Sequence, residues 1–158
     1  MKIKMIAAIG QNNELGKNND LIWYLPNDLK FFKETTIGKT VLMGKNTFYS
    51  LPKVLPNRKN IVITDTYIDN AYIEQYTLDE FYEKYKDSDE EIFIIGGASM
   101  YNHFIDKALE LYLTEIEASS EADVFFPTFD KSNYDKELLK ENSDNGINYK
   151  HVLYKKVK

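Results

Sequence analysis

Two hydrophobic rhythms alternate along this chain. Five short runs are nearly all apolar and rich in isoleucine and valine: Ile3 to Ile9, Thr40 to Met43, Asn60 to Thr64, Glu91 to Ile95 and Leu109 to Ile116. Such runs predict strands buried on both faces, as in a parallel sheet covered by helices. Between them, helical periodicity runs from Pro26 to Thr36, Lys45 to Ser50, Leu78 to Tyr85 and Ala98 to Lys107. Alternating strands and helices predict a single α/β domain. The tail NYKHVLYKKVK alternates imperfectly and is expected to pair with a run around Tyr134 to Leu139, closing one sheet edge in antiparallel fashion. Polar stretches at 64–70, 86–91 and 141–146 read as loops.

The first predicted helix carries an anomaly. Pro26 suits its first turn, where the missing N–H costs nothing. At about 100° per residue, Leu25, Leu29, Phe31 and Phe32 fall on one arc and Asn27, Lys30 and Glu34 fall opposite. Asp28 lands inside the apolar arc. It reads either as a first-turn carboxylate satisfied by backbone donors, or as the floor of an aromatic-lined pocket whose ligand supplies the donors. A planar group with two adjacent N–H groups would satisfy both oxygens at once.

Other junctions carry candidate chemistry. IIGGASMY at 94–101 sets two glycines between a strand and a helix, where backbone N–H groups can meet a phosphate; the same pair also serves as an ordinary turn. VLMGKNTFYS at 41–50 repeats the arrangement, with Lys45, Asn46 and Thr47 at the helix start. Neither a GxGxxG nor a Walker A pattern occurs. Arg58, just before a strand, reads as a solvated charge or a carboxylate receptor. The Asn- and Gly-rich segment from Ile9 to Tyr24 is long enough to fold over a ligand, and Trp23 at its end reads as a lining residue or a core plug.

Composition narrows the classes. One domain suits 158 residues, and a net charge of -5 argues against nucleic acid or anionic membrane as a partner while leaving room for an anionic small molecule. With no cysteine and only His103 and His151, disulfides, thiolate catalysis and sulfur-ligated metals are excluded and no metal site is expected. The amino terminus is too short in its apolar stretch for a signal peptide, so a cytoplasmic location is expected.

Taken together, MIAAIGQNNELGKNNDLIWYLPNDLKFFKETT, VLMGKNTFYSL, LPNRKNIVIT, IIGGASMY, LYLTEI and DVFFP resemble the dihydrofolate reductase family in order and spacing over nearly the whole chain. The resemblance implies an eight-stranded, mostly parallel central sheet with an antiparallel C-terminal strand, flanked by four helices. It implies a monomer that reduces 7,8-dihydrofolate to tetrahydrofolate with NADPH, by hydride transfer to C6 and protonation of N5 from water near Leu21.

On that resemblance Asp28 receives the pterin 2-amino group and N3, Thr114 hydrogen-bonds Asp28, Trp23 orients a water, and Leu21 and Tyr101 complete the catalytic set. Ile6, Ala7, Ala8, Leu29, Phe32, Leu51, Leu55 and Ile95 wall the rings, and Arg58 pairs with the glutamate α-carboxylate. The cofactor falls to Ala8, Leu15, Gly16, Asn19, Leu21, Gly44, Lys45, Asn46, Thr47, Ile63, Thr64, Asp65, Ile95, Gly96, Gly97, Ala98, Ser99 and Tyr101.

Some positions depart from the family pattern. Asp65 places an anion where a 2'-phosphate is expected. Leu21 and Ile22 stand where methionine and proline are frequent, so loop closure is expected to differ. Ala98 replaces a third glycine. Asp123 is expected to bind backbone N–H groups near Gly16. Two other readings share parts of this pattern: a pyrimidine reductase of riboflavin synthesis, and a binding module without turnover.

Overall fold

The computed structural model describes residues 1–18 and 20–157. In chain order its elements are β1 (Lys2–Ile9), β2 (Glu14–Lys17), β3 (Asp20–Leu21), α1 (Pro26–Thr36), β4 (Thr40–Gly44), α2 (Lys45–Ser50), β5 (Lys59–Ile63) and β6 (Ile73–Tyr76). There follow α3 (Leu78–Tyr85), β7 (Glu91–Gly96), α4 (Ala98–Phe104), β8 (Ala108–Ile116), β9 (Val124–Phe125), β10 (Tyr134–Asp144) and β11 (Ile147–Lys156).

Eight strands form one sheet in the order β10-β11-β8-β1-β7-β4-β5-β6. Pairings from β8 through β6 are parallel, and the C-terminal β11 runs antiparallel to both β8 and β10. The apolar runs are central because helices cover both faces. On one side Phe81 and Tyr85 of α3 and Met100, Tyr101 and Phe104 of α4 pack with Met5, Ala7, Leu42 and Ile94. On the other, Phe31 and Phe32 of α1 and Phe48 of α2 cover Ile6, Val41, Met43 and Val62. Full burial of such a side chain stabilises by roughly 1.5–3 kcal/mol, which is why these runs take the sheet centre.

Strand order also positions the site. From β4 the chain passes through α2 to β5 on one side, whereas from β7 it passes through α4 to β8 on the other. Adjacent parallel strands whose connections diverge leave a crevice beyond their carboxyl ends, and ligands of open α/β sheets bind there.

The structure corrects several sequence expectations. The segment from Ile9 to Tyr24 is not plain loop: β2 pairs with β3 and β9 in a small antiparallel sheet. The polar stretch 141–146 belongs mostly to the β10–β11 hairpin, with its turn at Asn145 and Gly146. The last helix ends at Phe104 and continues as a 3-10 turn over Ile105–Lys107. Strand β6 escaped prediction because Ile73–Tyr76 is only half-buried at the sheet edge.

Candidate active site

Helix α1 brings Asp28 over the end of the sheet. Leu25 offers no side-chain cap to its first turn. The cap comes instead from the distant hairpin: the Asp144 carboxylate accepts the Asn27 backbone N–H at 3.0 Å and the Asn27 amide at 2.9 Å. Tyr149 donates its hydroxyl to the same carboxylate. Asp28 is thereby freed from capping and turns inward, where the Thr114 hydroxyl donates to its Oδ1 at 2.6 Å. This decides between the two readings of Asp28, since its side-chain partner lies on a strand and not in the helix's own first turn.

Burial pushes the Asp28 carboxyl above its ordinary range; the Thr114 bond pulls it down in part, and the nearby Asp144 charge pushes it up. Asp28 opens onto a cleft shared with Ala8, Leu15, Leu21, Trp23 and Leu29. Leu29, on the apolar arc and expected to wall the substrate rings, is 44% exposed and lines this cleft. Ile6, Phe32, Leu51, Leu55 and Ile95 belong to one apolar cluster under α1 and α2. Ala7 points the other way, into the core with Met100 and Tyr101, as strand alternation requires. Tyr101 is also buried, and its hydroxyl donates to the Ile6 carbonyl at 2.7 Å. Burial and the Asp28 charge push that hydroxyl upward, and its bond to the Ile6 carbonyl braces β1.

The segment over the cleft is anchored by Glu14, which is 1% exposed and accepts the N–H groups of Asn12 at 2.7 Å and Ser120 at 2.8 Å. Burial would raise this carboxyl, and the N–H groups of Ser120, Glu14 and Asn12 more than offset it, leaving it below the ordinary range. Gly10 is required for the fit: a Cβ there would stand 2.5 Å from Glu14 Oε1 and 2.6 Å from Trp23 Cη2. Asp123 accepts the Asn18 N–H at 2.9 Å and donates its own N–H to the Gly16 carbonyl at 3.1 Å, as expected near Gly16. Asn19 lies outside the described residues.

The two glycine junctions meet side by side, because β4 and β7 are neighbours with Met43 opposite Gly96. Gly96 has φ +142°, and a Cβ there would stand 3.0 Å from Thr47 Oγ1; at Gly97 the distance would be 3.3 Å. Gly44, Lys45, Asn46, Thr47, Gly96, Gly97, Ala98 and the exposed Ser99 therefore line one rim. Lys45 reaches from it to the Thr66 hydroxyl at 3.3 Å, and Thr64 bonds the Thr66 carbonyl at 2.8 Å. Asp65 between them is exposed, and Ile63 is buried at the end of β5.

Arg58, the only arginine in the chain, is held at the far end of α1. The buried Asn60 staples the turn by donating to the carbonyls of Leu55 and Arg58, both at 2.9 Å. The Arg58 guanidinium donates to the Pro56 carbonyl and the Thr36 hydroxyl, each at 3.0 Å. Among the described residues it makes no ion pair.

Similarity to known proteins accords with this geometry. A family model described as dihydrofolate reductase matches residues 2–156. The chain belongs to the dihydrofolate reductase family. It is 38% identical over 160 residues to the dihydrofolate reductase of Bacillus subtilis, covering 98% of this chain and 94% of that protein. It is 40% identical over 162 residues to that of Buchnera aphidicola subsp. Acyrthosiphon pisum, covering 94% and 93%. The solved structure of dihydrofolate reductase from Enterococcus faecalis, complexed with NADP(H) and RAB-propyl, is similar with a TM-score of 0.88 and 31% identity over 99% of this chain and 97% of that one. As a member of this reductase family, the protein is an enzyme.

One residue of the site went unnoticed in the sequence. His151 is fully buried behind Asp28, with Nδ1 2.9 Å from Thr114 Oγ1, Nε2 2.9 Å from the Asn142 amide nitrogen, and its ring stacked on Phe31 at 4.0 Å. The available signal was strand register, which sets His151 opposite Thr114. Burial, with Lys140 adding to it, lowers the imidazole to about 4 from its ordinary 6.5.

The sign of the consequence is fixed by linkage. Between pH 6.5 and about 4 the unfolded chain binds a proton at this position that the folded chain refuses, so stability is lost as pH falls through that window. The raised Asp28 carboxyl acts in the opposite sense at the low end. Urea midpoints measured from pH 7 to 4 are expected to fall in the parent protein, and to fall less in His151→Phe. Parallel curves for the two proteins would refute the assignment.

Proposed function

We propose that this protein reduces 7,8-dihydrofolate to 5,6,7,8-tetrahydrofolate with NADPH, supplying one-carbon metabolism and thymidylate synthesis. The observation that carries the reading is Asp28: a sheltered carboxylate whose Oδ1 is committed to Thr114 while the group still faces an apolar cleft. A flat ring bearing an amino group beside a ring N–H matches that arrangement, because two parallel N–H donors complete a carboxylate's bonding.

The glycine rim fits NADPH. Gly96 holds φ +142°, and a Cβ there would press on Thr47 Oγ1 at 3.0 Å, so glycine is what lets the two junctions pack together along the rim. Gly44 to Thr47 and Gly96 to Ser99 would hold the pyrophosphate, with Lys45 and Thr64 toward the 2'-phosphate and the exposed Asp65 turned to solvent. Ala8, Leu15, Gly16, Leu21, Ile63 and Ile95 would flank the remainder. The bound cofactor supplies the hydride received at pterin C6.

The chain's own residues then orient the ring. Asp28 fixes the edge bearing the 2-amino group and N3, which leaves N5 at the opposite edge, out of its reach. The proton for N5 comes from water entering at the mouth of the cleft, where Leu21 is 63% exposed, and Trp23 directs that water. Ile6, Ala8, Leu29, Phe32, Leu51 and Leu55 exclude other solvent from the rings. Arg58 receives the glutamate α-carboxylate through its planar fork.

The direct test is NADPH oxidation by the purified protein with and without dihydrofolate, repeated with NADH. Oxidation that depends on dihydrofolate and prefers NADPH is expected, and its absence would end the reading. Asp28→Asn is expected to fold and to lose turnover by roughly 100-fold or more, the scale of removing one fixed electrostatic contact. Turnover within about twofold of the parent would take Asp28 out of this role. Arg58→Ala is expected to raise KM for dihydrofolate by about 10-fold or more at little cost in kcat, as loss of a charge-assisted pair requires. An unchanged KM would show the guanidinium to be a bystander.

A further inference from the structure

Behind Asp28, away from the cleft, the polar chain continues past Thr114 to His151 and Asn142, two residues that the proposed reaction does not use. Thr114 Oγ1 stands 2.6 Å from Asp28 Oδ1 and 2.9 Å from His151 Nδ1. His151 Nδ1 itself is 3.7 Å from Asp28 Oδ1, too far for a hydrogen bond, so any influence passes through the hydroxyl. That hydroxyl has one proton and two neighbours. An ionised carboxylate only accepts, so the Thr114 proton goes to Asp28 and the remaining contact is satisfied only if His151 Nδ1 carries a hydrogen and donates to Oγ1.

The far side of the ring agrees. With Nδ1 protonated in a neutral ring, Nε2 is a lone pair, and the group facing it at 2.9 Å is the Asn142 amide nitrogen, a donor. Every bond in the row then points one way, from Asn142 to His151 to Thr114 to Asp28. The Phe31 ring, stacked at 4.0 Å and 17° between planes, fixes the imidazole's orientation, and complete burial denies it water as an alternative partner.

We propose that His151 is a positioning residue, held by Asn142 as the Nδ1–H tautomer, which commits the single Thr114 proton to Asp28 and keeps Asp28 an acceptor-only carboxylate toward the incoming ring. With the opposite tautomer, Thr114 would donate to His151 and Asp28 Oδ1 would face a lone pair. Asp28 would then take up a proton more readily and present the ring with the wrong complement. The other charged and titratable groups facing this row are Tyr101 from α4, Lys140 and Asp144 from β10, and Tyr149 from β11. The purpose assigned to the row rests on the reading that Asp28 receives a pterin, although its hydrogen-bond direction does not.

The test uses the full chain with labelled histidine and aspartate. Long-range proton–nitrogen NMR near neutral pH is expected to show His151 neutral and protonated on Nδ1; protonation on Nε2 would overturn the proposal without any variant. Carbon NMR of the Asp28 carboxyl is then followed against pH in His151→Phe and His151→Asn, the asparagine keeping an N–H where Nδ1 stood. The Phe variant is expected to titrate higher by up to about one pH unit, the scale of weakening a hydrogen bond to a charged group, and to bind dihydrofolate several-fold more weakly. The Asn variant is expected to stay near the parent in both. If neither variant moves Asp28, or both move it equally, the relay is wrong. Should the parent fail to oxidise NADPH with dihydrofolate, the pterin purpose falls. A parent that turns over with an unmoved Asp28 titration removes the relay alone.

Discussion

The hydrogen bond from Thr114 to Asp28 is the contact on which the rest of the site depends. A carboxylate placed among Leu25, Leu29 and Phe31 loses hydration, and a single hydroxyl on β8 recovers only part of that loss, so the group remains raised and hungry for donors. That residual demand is what makes the cleft selective. It exists only because α1 is pinned from outside by Asp144, which takes over the capping that Asp28 would otherwise perform. The C-terminal hairpin thus acts on the site twice, through Asp144 at the helix start and through His151 behind Thr114.

Sheet order explains how two binding surfaces come to serve one reaction. Thr114 lies on β8 and Gly96 ends β7, with only β1 between them. Two strand spacings amount to roughly 10 Å, so on the proposed function a ring seated at Asp28 and a cofactor held along the glycine rim would share the carboxyl end of β1. Ile6 and Ala8 face that shared space while Ala7 faces the opposite core. Tyr101 fixes the strand between them by holding the Ile6 carbonyl. The diverging connections after β4 and β7 keep the crevice free of chain.

Legibility of this arrangement in the sequence followed burial. The central strands announced themselves because both faces are covered, and α1 carried its start in a local signal, Pro26 in the first turn. Asp28 stood out for the same reason: a charge on an apolar arc has no local explanation. What escaped was whatever depends on partners far away in the chain. Strands β2, β3 and β9 are short and lean on one another, and β6 shows no buried face of its own. His151 looked like one more position in an imperfectly alternating tail, since its meaning comes from register with Thr114, Asn142 and Phe31.

Helix α1 also supplies a length scale that links the two charged ends of the cleft. Asp28 sits in its first turn, and Thr36, its last residue, takes a hydrogen bond from Arg58. Eight residues of helix rise about 12 Å, and the side chain between them that lines the cleft, Leu29, is apolar. A ligand laid along this ruler needs donors at one end, a flat apolar middle and an anion at the other. The net charge of -5 does not oppose such a ligand, because the decisive cation is local: Arg58 is held by a carbonyl and a hydroxyl, acceptors that orient the guanidinium without neutralising it. Burial lowers Arg58 from its ordinary value, and a carboxylate arriving at that site would restore what burial takes away. On the proposed function, the spacing between unlike charges at the two ends of this helix, more than the chemistry of either end alone, would separate a folate from smaller pterins and from sugar phosphates of similar charge.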